Sequence, residues 1–275
     1  MRPLILITND DGIQAPGLKA AADAVLPLGE VIVVAPPKRQ TAMGRSFPRS
    51  DEQGVIERAP EICGGAVRCY AVSGSPAQSV AHAVLEICSR PPALCISGLN
   101  DGENLGGTIL VSGTVGAAME AAGFGIPALA VSVGPEDPDR FCCPYSSADW
   151  QVPIALTRLI ASRVLSRGLP PGVALLNVNI PWSATLLTEV RFTVQSRQNH
   201  YVWARPGERD FSKPGRLPVI EQIDRESLER DGDLHAFSVD CVVSITPLTA
   251  DLTARDATGA PLRLDVVAAS ALGLE

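Results

Sequence analysis

The chain has 275 residues, 46% of them apolar and 19% charged, with a net charge of −7. That length accommodates one large α/β domain or a core with an appendage, and the composition excludes a disordered chain. The acidic balance, with a pI of about 5.1, argues against a broad polyanion-binding surface while leaving room for one small phosphate pocket.

No apolar run reaches the roughly 18 residues of a membrane span. Asp10 and Asp11 interrupt the first apolar run too early for a signal peptide. The expectation is a soluble, cytoplasmic protein with no membrane or nucleic-acid-polymer partner. The seven cysteines (Cys63, Cys69, Cys88, Cys95, Cys142, Cys143 and Cys241) form no C-x-x-C pair. Cys69, Cys88 and Cys95 sit in apolar segments, as small hydrophobes do, so neither a zinc cluster nor a disulfide framework is expected.

In chain order, "PLILIT" (3–8) is a short continuous apolar run, as expected of a strand buried on both faces. From Pro16 to Leu26 the apolar residues fall at helical spacing, with proline at the start and Pro27 and Gly29 past the end. "VIVVAP" (31–36) is the second strand, followed by the polar loop "PKRQTAMGRS". Residues 66–72 make a strand, "SPAQSVAHAVLEICSR" a helix, "ALCIS" (93–97) a strand, "SGTVGAAMEAAG" (112–123) a capped helix and "PALAVSV" (127–133) a strand. A helix over 149–167 and a strand "VALLNVNIP" (173–181) complete the alternation. Right-handed βαβ units follow, giving a Rossmann-like three-layer α/β fold whose mainly parallel sheet has helices on both faces. After about residue 182 the rhythm changes. "LTEVRFTVQS" and "HAFSVDCVVSITPL" read as strands around a polar, irregular stretch at 197–232, of the kind used for function or oligomeric arms. The division expected is a core over 1–181 and a β-rich extension over 182–275 packed on it, the whole forming one structural domain.

Ligands in an open parallel sheet bind outside the carboxyl ends of the strands. After the first strand come Asn9, Asp10, Asp11 and Gly12; after the second come Gln40, Thr41, Gly44 and Ser46; after "ALCIS" comes "GLNDGENLGG" (98–107). These loops hold carboxylate, amide and hydroxyl oxygens and no Cys or His, a donor set for a hard divalent cation such as Mg²⁺ or Mn²⁺. Two adjacent carboxylates are costly to desolvate; a cation beside them keeps both ionised. The plain alternative is that Asp10 caps the following helix and Asp11 is solvated. The start of "SGTVGAAMEA", with Ser112 or Thr114 as cap and Gly113 admitting a ligand to the backbone, suits phosphate, and Asn104 is near enough to donate to it. An ordinary capped helix and a turn asparagine are the plain alternatives. His82 falls on a helix and reads as structural; His200 and His235 lie in or beside the irregular region. There is no G-x-S-x-G, no Walker loop and no G-x-G-x-x-G after the first strand.

The stretches "TNDDGIQAPGL" (8–18), "VVAPPKRQTAMGRS" (33–46), "SGSPAQSV" (73–80), "SGLNDGENLG" (97–106), "SGTVGAAMEA" (112–121), "NVNIP" (177–181) and "VSITPL" (243–248) occur in that order. Together they resemble the stationary-phase survival protein SurE family of metal-dependent nucleotidases and phosphatases. The resemblance implies metal ligation by Asp10, Asp11, Thr41 and Asn100, with one Mg²⁺ or Mn²⁺ per subunit. It implies phosphate binding by Asn104, Ser112, Gly113 and Thr114 with Asn9 close by, and catalysis by Asp10 and Asp11. It further implies release of phosphate from nucleoside 5′-monophosphates, with 3′-monophosphates and short polyphosphate as additional substrates. Homodimers or homotetramers would form through the C-terminal extension. The chain departs from the family pattern at Thr41, usually serine, at Gln78 in "GSPAQS", at Val111 and in "FTVQSR". The rival readings are a catalytically weak nucleotide-binding oligomer, a covalent aspartyl-phosphatase and a signalling receiver module. The latter two each need a lysine or aspartate placed where this chain has none.

Overall fold

The computed structural model describes residues 1–59, 67–134, 150–256 and 258–261. Along the chain run β1 (Leu4–Thr8), α1 (Pro16–Val25), β2 (Glu30–Ala35), β3 (Ile56–Arg58), β4 (Arg68–Val72), α2 (Pro76–His82), β5 (Leu94–Asp101), α3 (Gly113–Gly123), β6 (Ala128–Gly134), α4 (Gln151–Arg167), β7 (Leu175–Pro181), β8 (Val190–Phe192), β9 (Tyr201–Trp203), β10 (Val219–Glu221), α5 (Asp233–Ser238) and β11 (Val243–Leu248). One nine-stranded sheet has the order β3-β4-β2-β1-β5-β6-β7-β11-β8, and β9 and β10 form a separate antiparallel ribbon. The six strands from β4 to β7 in that order are parallel; β3 joins β4 and β11 joins β7 antiparallel, and β8 runs parallel to β11.

The three-layer α/β expectation therefore holds, and the period-two rule explains how it is built. Ile5 and Ile7 of β1, with Val31 and Val33 of β2 and Leu129 and Val131 of β6, pack in one core cluster with α1 and α4. Leu4 and Leu6, with Ile32, Val34, Ala128 and Ala130, face the other way into a second cluster with α2 and α3. A strand covered on both faces has no polar side to alternate with, which is why "LILIT" reads as a continuous apolar run.

From the central β1 the chain builds outward through β2 and β4, then returns to β5 on the other side and builds out through β6 and β7. The crevice at the carboxyl ends of β1 and β5 is thus the topological switch point. The pairing of β5 with β6 shifts between Ser97 and Asn100. Gly98 makes that shift with φ +134°, and a Cβ there would lie 2.2 Å from the Val131 carbonyl oxygen. The bulge re-aims the end of β5, which carries Asn100 and Asp101 to the crevice.

Beyond residue 181, β11 and β8 extend the same sheet. Here the structure corrects one reading: "HAFSVDCVVSITPL" opens as the helix α5, and its strand begins only at Val243. Asp233 causes this. Its Oδ1 accepts from the amides of Leu234 and Ser196 at 2.8 and 2.9 Å, fixing a helical turn that side-chain alternation does not reveal. The α2 segment is helical only to His82 and continues as a π-helical turn over Ala83–Ile87. Residue 66 of the expected third strand, residue 149 of the long helix, Cys63, Cys142, Cys143 and the end of the C-terminal extension lie outside the described residues. No helix among the described residues is long and apolar enough to cross a membrane.

Candidate functional site

Four loops meet at the switch point. Asn9, Asp10 and Asp11 follow β1. The Asn9 side chain bridges Gly12 both ways, accepting its N–H at 3.1 Å and donating to its carbonyl at 3.2 Å. This tight turn spends the Asn9 amide on the backbone. It also leaves α1 to begin at Pro16 with Ala15 as an uncapped N-terminus, so Asp10 is not a helix cap.

Asp10 is 7% exposed and points at the start of α3. Thr114 Oγ1 donates to its Oδ1 at 2.6 Å. Gly113 lies against it so closely that a Cβ would sit 2.8 Å from Asp10 Cβ and 2.9 Å from Oδ2. Burial pushes the Asp10 carboxyl above its usual range, with the Thr114 hydroxyl opposing. Asp11 turns the other way. Its Oδ1 pairs with Arg39 at 2.8 Å and its Oδ2 accepts the Asp101 N–H at 3.0 Å. Burial, followed by the charge on Asp10, pushes Asp11 up to about 7. Arg39 also pairs with Asp101 at 2.9 Å. The result is a cleft of about 390 Å³ whose polar wall is Asp11, Arg39, Asp101 and Gln14.

The loop after β2 reaches the acids through its backbone. The Gln40 N–H donates to the Asp10 carbonyl at 2.7 Å, one residue before Thr41. Thr41 is itself exposed and hydrogen-bonds to neither aspartate. At the end of β5, Asn100 is 8% exposed; its Nδ2 donates to the Gly102 and Asp101 carbonyls, at 2.7 and 3.3 Å, leaving Oδ1 as the atom suited to a cation. Among the described residues no cluster of three His, Cys, Asp or Glu side chains has the arrangement of a metal site. The structure gathers two carboxylates and the Asn100 amide here, oxygen donors of the kind a hard dication takes, and leaves the Thr41 hydroxyl exposed on the adjoining loop.

The structure assigns the proposed phosphate residues different tasks from those their side chains suggest. Ser112 Oγ accepts from the Val115 N–H at 3.1 Å, capping α3. The Thr114 hydroxyl is on Asp10 and the Asn104 side chain donates to Ser132 Oγ at 2.7 Å. What is left facing the acids is backbone: the Gly113 and Thr114 amides open α3 and have no intrahelical acceptor. Sequence reasoning missed the residues that hold this loop. Asn179 Oδ1 accepts the Asn104 N–H at 2.8 Å, and Asn177 and Asn179 Nδ2 donate to its carbonyl at 2.8 and 3.1 Å. The available signal was two asparagines two residues apart in an otherwise apolar buried strand. Arg39 and Asp101 were missed as well, although both stand inside motifs already singled out. Thr8, Ser97 and Asn177 lie in one cross-strand row beneath the site, and Thr8 Oγ1, Ser97 Oγ and Asn177 Oδ1 are buried with no protein partner among the described residues. Such unmatched oxygens are rare in native interiors away from water or ligand.

His82 pairs with Glu86 at the surface. His235 lies near Asp240, away from the crevice, at 3.2 Å. His200 is buried in the extension with Nδ1 3.1 Å from Glu103 Oε1. Burial alone would raise Glu103 and lower His200, but their pairing outweighs it, lowering the carboxyl and raising the imidazole. Cys69 and Cys95 are buried thiols and Cys241 is exposed.

A doubly wound α/β chain whose strand-end Asp10 lies against a capped helix start at the switch point, with Asp11 turned to Arg39, has the architecture of a phosphate-handling fold. The chain belongs to the SurE family: the family model described as Survival protein SurE matches residues 5–202. The 5′-nucleotidase SurE of Methanothrix thermoacetophila is 40% identical over 258 residues, covering 91% of this chain and 94% of its own. That of Archaeoglobus fulgidus is 40% identical over 254 residues, covering 91% and 92%. The crystal structure of the SurE protein from Aquifex aeolicus superposes with a TM-score of 0.72 at 29% identity, covering 91% of this chain and 95% of that one.

Proposed function

We propose that this chain is a 5′-nucleotidase that releases inorganic phosphate from nucleoside 5′-monophosphates with the help of one divalent ion, Mg²⁺ or Mn²⁺, per subunit. The observation that carries the reading is the contact of Asp10 with the first two residues of α3, through the Thr114 hydroxyl at 2.6 Å and the close approach of Gly113. It sets one member of the acidic pair beside backbone donors that have no intrahelical acceptor, the two halves of a site for a cation and a phosphate.

Asp10, Asp11, Asn100 and the adjoining Thr41 would hold the ion. Bound there, a divalent ion supplies Lewis-acid charge to the phosphoryl oxygens and acidifies water. The remaining work falls to the chain. The Gly113 and Thr114 amides take the equatorial oxygens of the transferring phosphoryl group and stabilise charge developing on them. Asp11, beside the ion on the open side of the cleft, orients the attacking water and takes its proton. Asn104, held by three bonds from Asn177 and Asn179, keeps the loop over the phosphate in place. The same site chemistry admits 3′-monophosphates and short polyphosphate.

Self-association through the extension from residue 182 onward is part of this reading. It is supported by exposed apolar side chains there, among them Phe192, Trp203 and Ile220. A cytoplasmic protein without nucleic-acid-polymer or membrane partners completes it.

The test is phosphate release from AMP, GMP, CMP and UMP as 5′ and 3′ isomers, without metal and with Mg²⁺ or Mn²⁺, alongside Asp11→Asn. Metal-dependent release lost in the variant is the expected outcome. A folded wild type that releases nothing with either ion would overturn the enzymatic reading in favour of binding without turnover.

A further inference from the structure

A divalent ion on the acid pair and the guanidinium of Arg39 require the same carboxylate. Arg39 Nη2 sits 2.8 Å from Asp11 Oδ1 and 2.9 Å from Asp101 Oδ2, while Asp11 Oδ2 already accepts the Asp101 N–H. Each oxygen of Asp11 therefore has a protein donor. Asp10 differs: its side-chain donor is the neutral hydroxyl of Thr114. The two partners of the pair also differ in freedom. The Asp11 side chain is 8% exposed and fixed, whereas that of Arg39 is 55% exposed on a loop and has solvent to move into.

We propose that Arg39 competes with the divalent ion for Asp11 and thereby sets the metal affinity of the acid pair. The inference rests on the metal reading above. Arg39 acts here as an internal counter-charge that neutralises Asp11 and Asp101, and metal binding must displace it or bear its repulsion. Because the guanidinium is half exposed, the repulsion is screened. A single and a double charge about 5 Å apart in a water-like dielectric shift affinity by roughly tenfold. The same screening makes the effect shrink at high salt.

The experiment measures Mn²⁺ affinity of the full chain directly, by the electron paramagnetic resonance signal of free Mn²⁺, for the wild type, Arg39→Gln and Arg39→Lys at low and high salt. Arg39→Gln is expected to bind Mn²⁺ about tenfold more tightly than the wild type. Arg39→Lys, which keeps the charge but not the two-carboxylate bridge, falls between them, and the differences narrow in high salt. Thermal unfolding gives an independent reading. Without metal, Arg39→Gln melts below the wild type because Asp11 and Asp101 have lost their counter-charge, and Mn²⁺ raises its melting temperature by more than it raises the wild type's. A wild type that binds Mn²⁺ with an Arg39→Gln variant of equal or weaker affinity overturns the competition and leaves the metal reading intact. No Mn²⁺ binding by either protein overturns the metal reading and the competition with it.

Discussion

The hydroxyl of Thr114 is the joint on which Asp10 depends, and replacing Thr114 by valine isolates its contribution. Valine has nearly the shape of threonine, so the fully buried position loses a donor without gaining a cavity. The 2.6 Å bond to Asp10 Oδ1 disappears and that oxygen is left in the interior with no replacement from solvent. Leaving a buried acceptor unmatched costs about 1–3 kcal/mol, toward the upper end when the acceptor is charged. The hydroxyl also opposes the upward push of burial on Asp10, so its loss raises that carboxyl further and favours the protonated form that cannot ligate. If the deficit falls on the transition state, each ~1.4 kcal/mol is about tenfold in rate, which sets the expected loss of kcat/KM at roughly ten- to a hundredfold. Mn²⁺ affinity should fall in parallel, and the melting temperature by a few degrees. Phosphate release, Mn²⁺ titration and thermal unfolding are measured on Thr114→Val and Thr114→Ser together. Serine keeps the donor and should recover most of the loss. A serine variant as impaired as the valine one would put the methyl group, rather than the hydrogen bond, in charge; a valine variant with wild-type turnover and metal affinity would refute the reasoning outright.

Three more outcomes can be checked. Gly113→Ala places a methyl 2.8 Å from Asp10 Cβ, where ordinary contact begins at 3.4 Å, so the carboxylate or the helix start must shift by several tenths of an ångström. A misplacement of about 1 Å can cost about a hundredfold in turnover, so a shift of several tenths is expected to lower kcat by about tenfold; a variant with unchanged kcat would show that the contact is not part of the site. Asn179→Ala removes the acceptor of the Asn104 N–H and one donor to its carbonyl; KM for a nucleoside monophosphate should rise about tenfold with kcat less affected, and equal losses in both would argue for a role beyond holding the loop. The Glu103–His200 pair predicts a window of stability. Glu103 is lowered, so its contribution is lost as pH falls through its folded value; His200 is raised, so its contribution is present below the ordinary histidine value and lost as pH rises through its folded one. Wild type should therefore exceed His200→Gln in melting temperature most clearly between the ordinary carboxylate and histidine values, with the gap narrowing on both sides. A gap independent of pH would remove the ion pair from the account.

The core was legible because strands buried on both faces and helices bearing one apolar stripe leave different periods, and β1, β2, β5, β6 and β7 all carry the first. The extension was less so. Residues 233–238 form a helix for a reason outside their own pattern: Asp233 is held by the Ser196 and Gly106 amides, 37 and 127 positions away. In the site, residue types at strand ends pointed to Asp10, Asp11, Asn100 and the α3 start. Whether a side chain serves a ligand or the protein could not be read the same way. Ser112, Asn9 and Asn104 have the chemistry for phosphate, yet each spends it on a cap, a turn or Ser132. Hydrogen-bond valence is settled by neighbours in space, and Asn177 and Asn179 acquire their role only because β7 lies beside β6 and under the 102–106 loop.

The adjacent aspartates, costly as a pair, become intelligible from the same geometry. Consecutive residues of an extended chain point to opposite faces. At the end of β1 this sends Asp10 to the α3 side and Asp11 to the Arg39 side. Each acid then finds a different kind of compensation: a neutral, buried hydroxyl for Asp10 and an exposed, mobile cation for Asp11. The first fixes its carboxylate in place, because the donor is itself buried and held by the start of α3. The second can be exchanged, because the guanidinium stands half in water. A strand that ended on one aspartate could be rigid or exchangeable; ending on two, with the Asn9–Gly12 turn locking the backbone between them and the next loop, it is both. In the metal reading proposed above, that division of labour lets the site hold an ion in a fixed place and still release it.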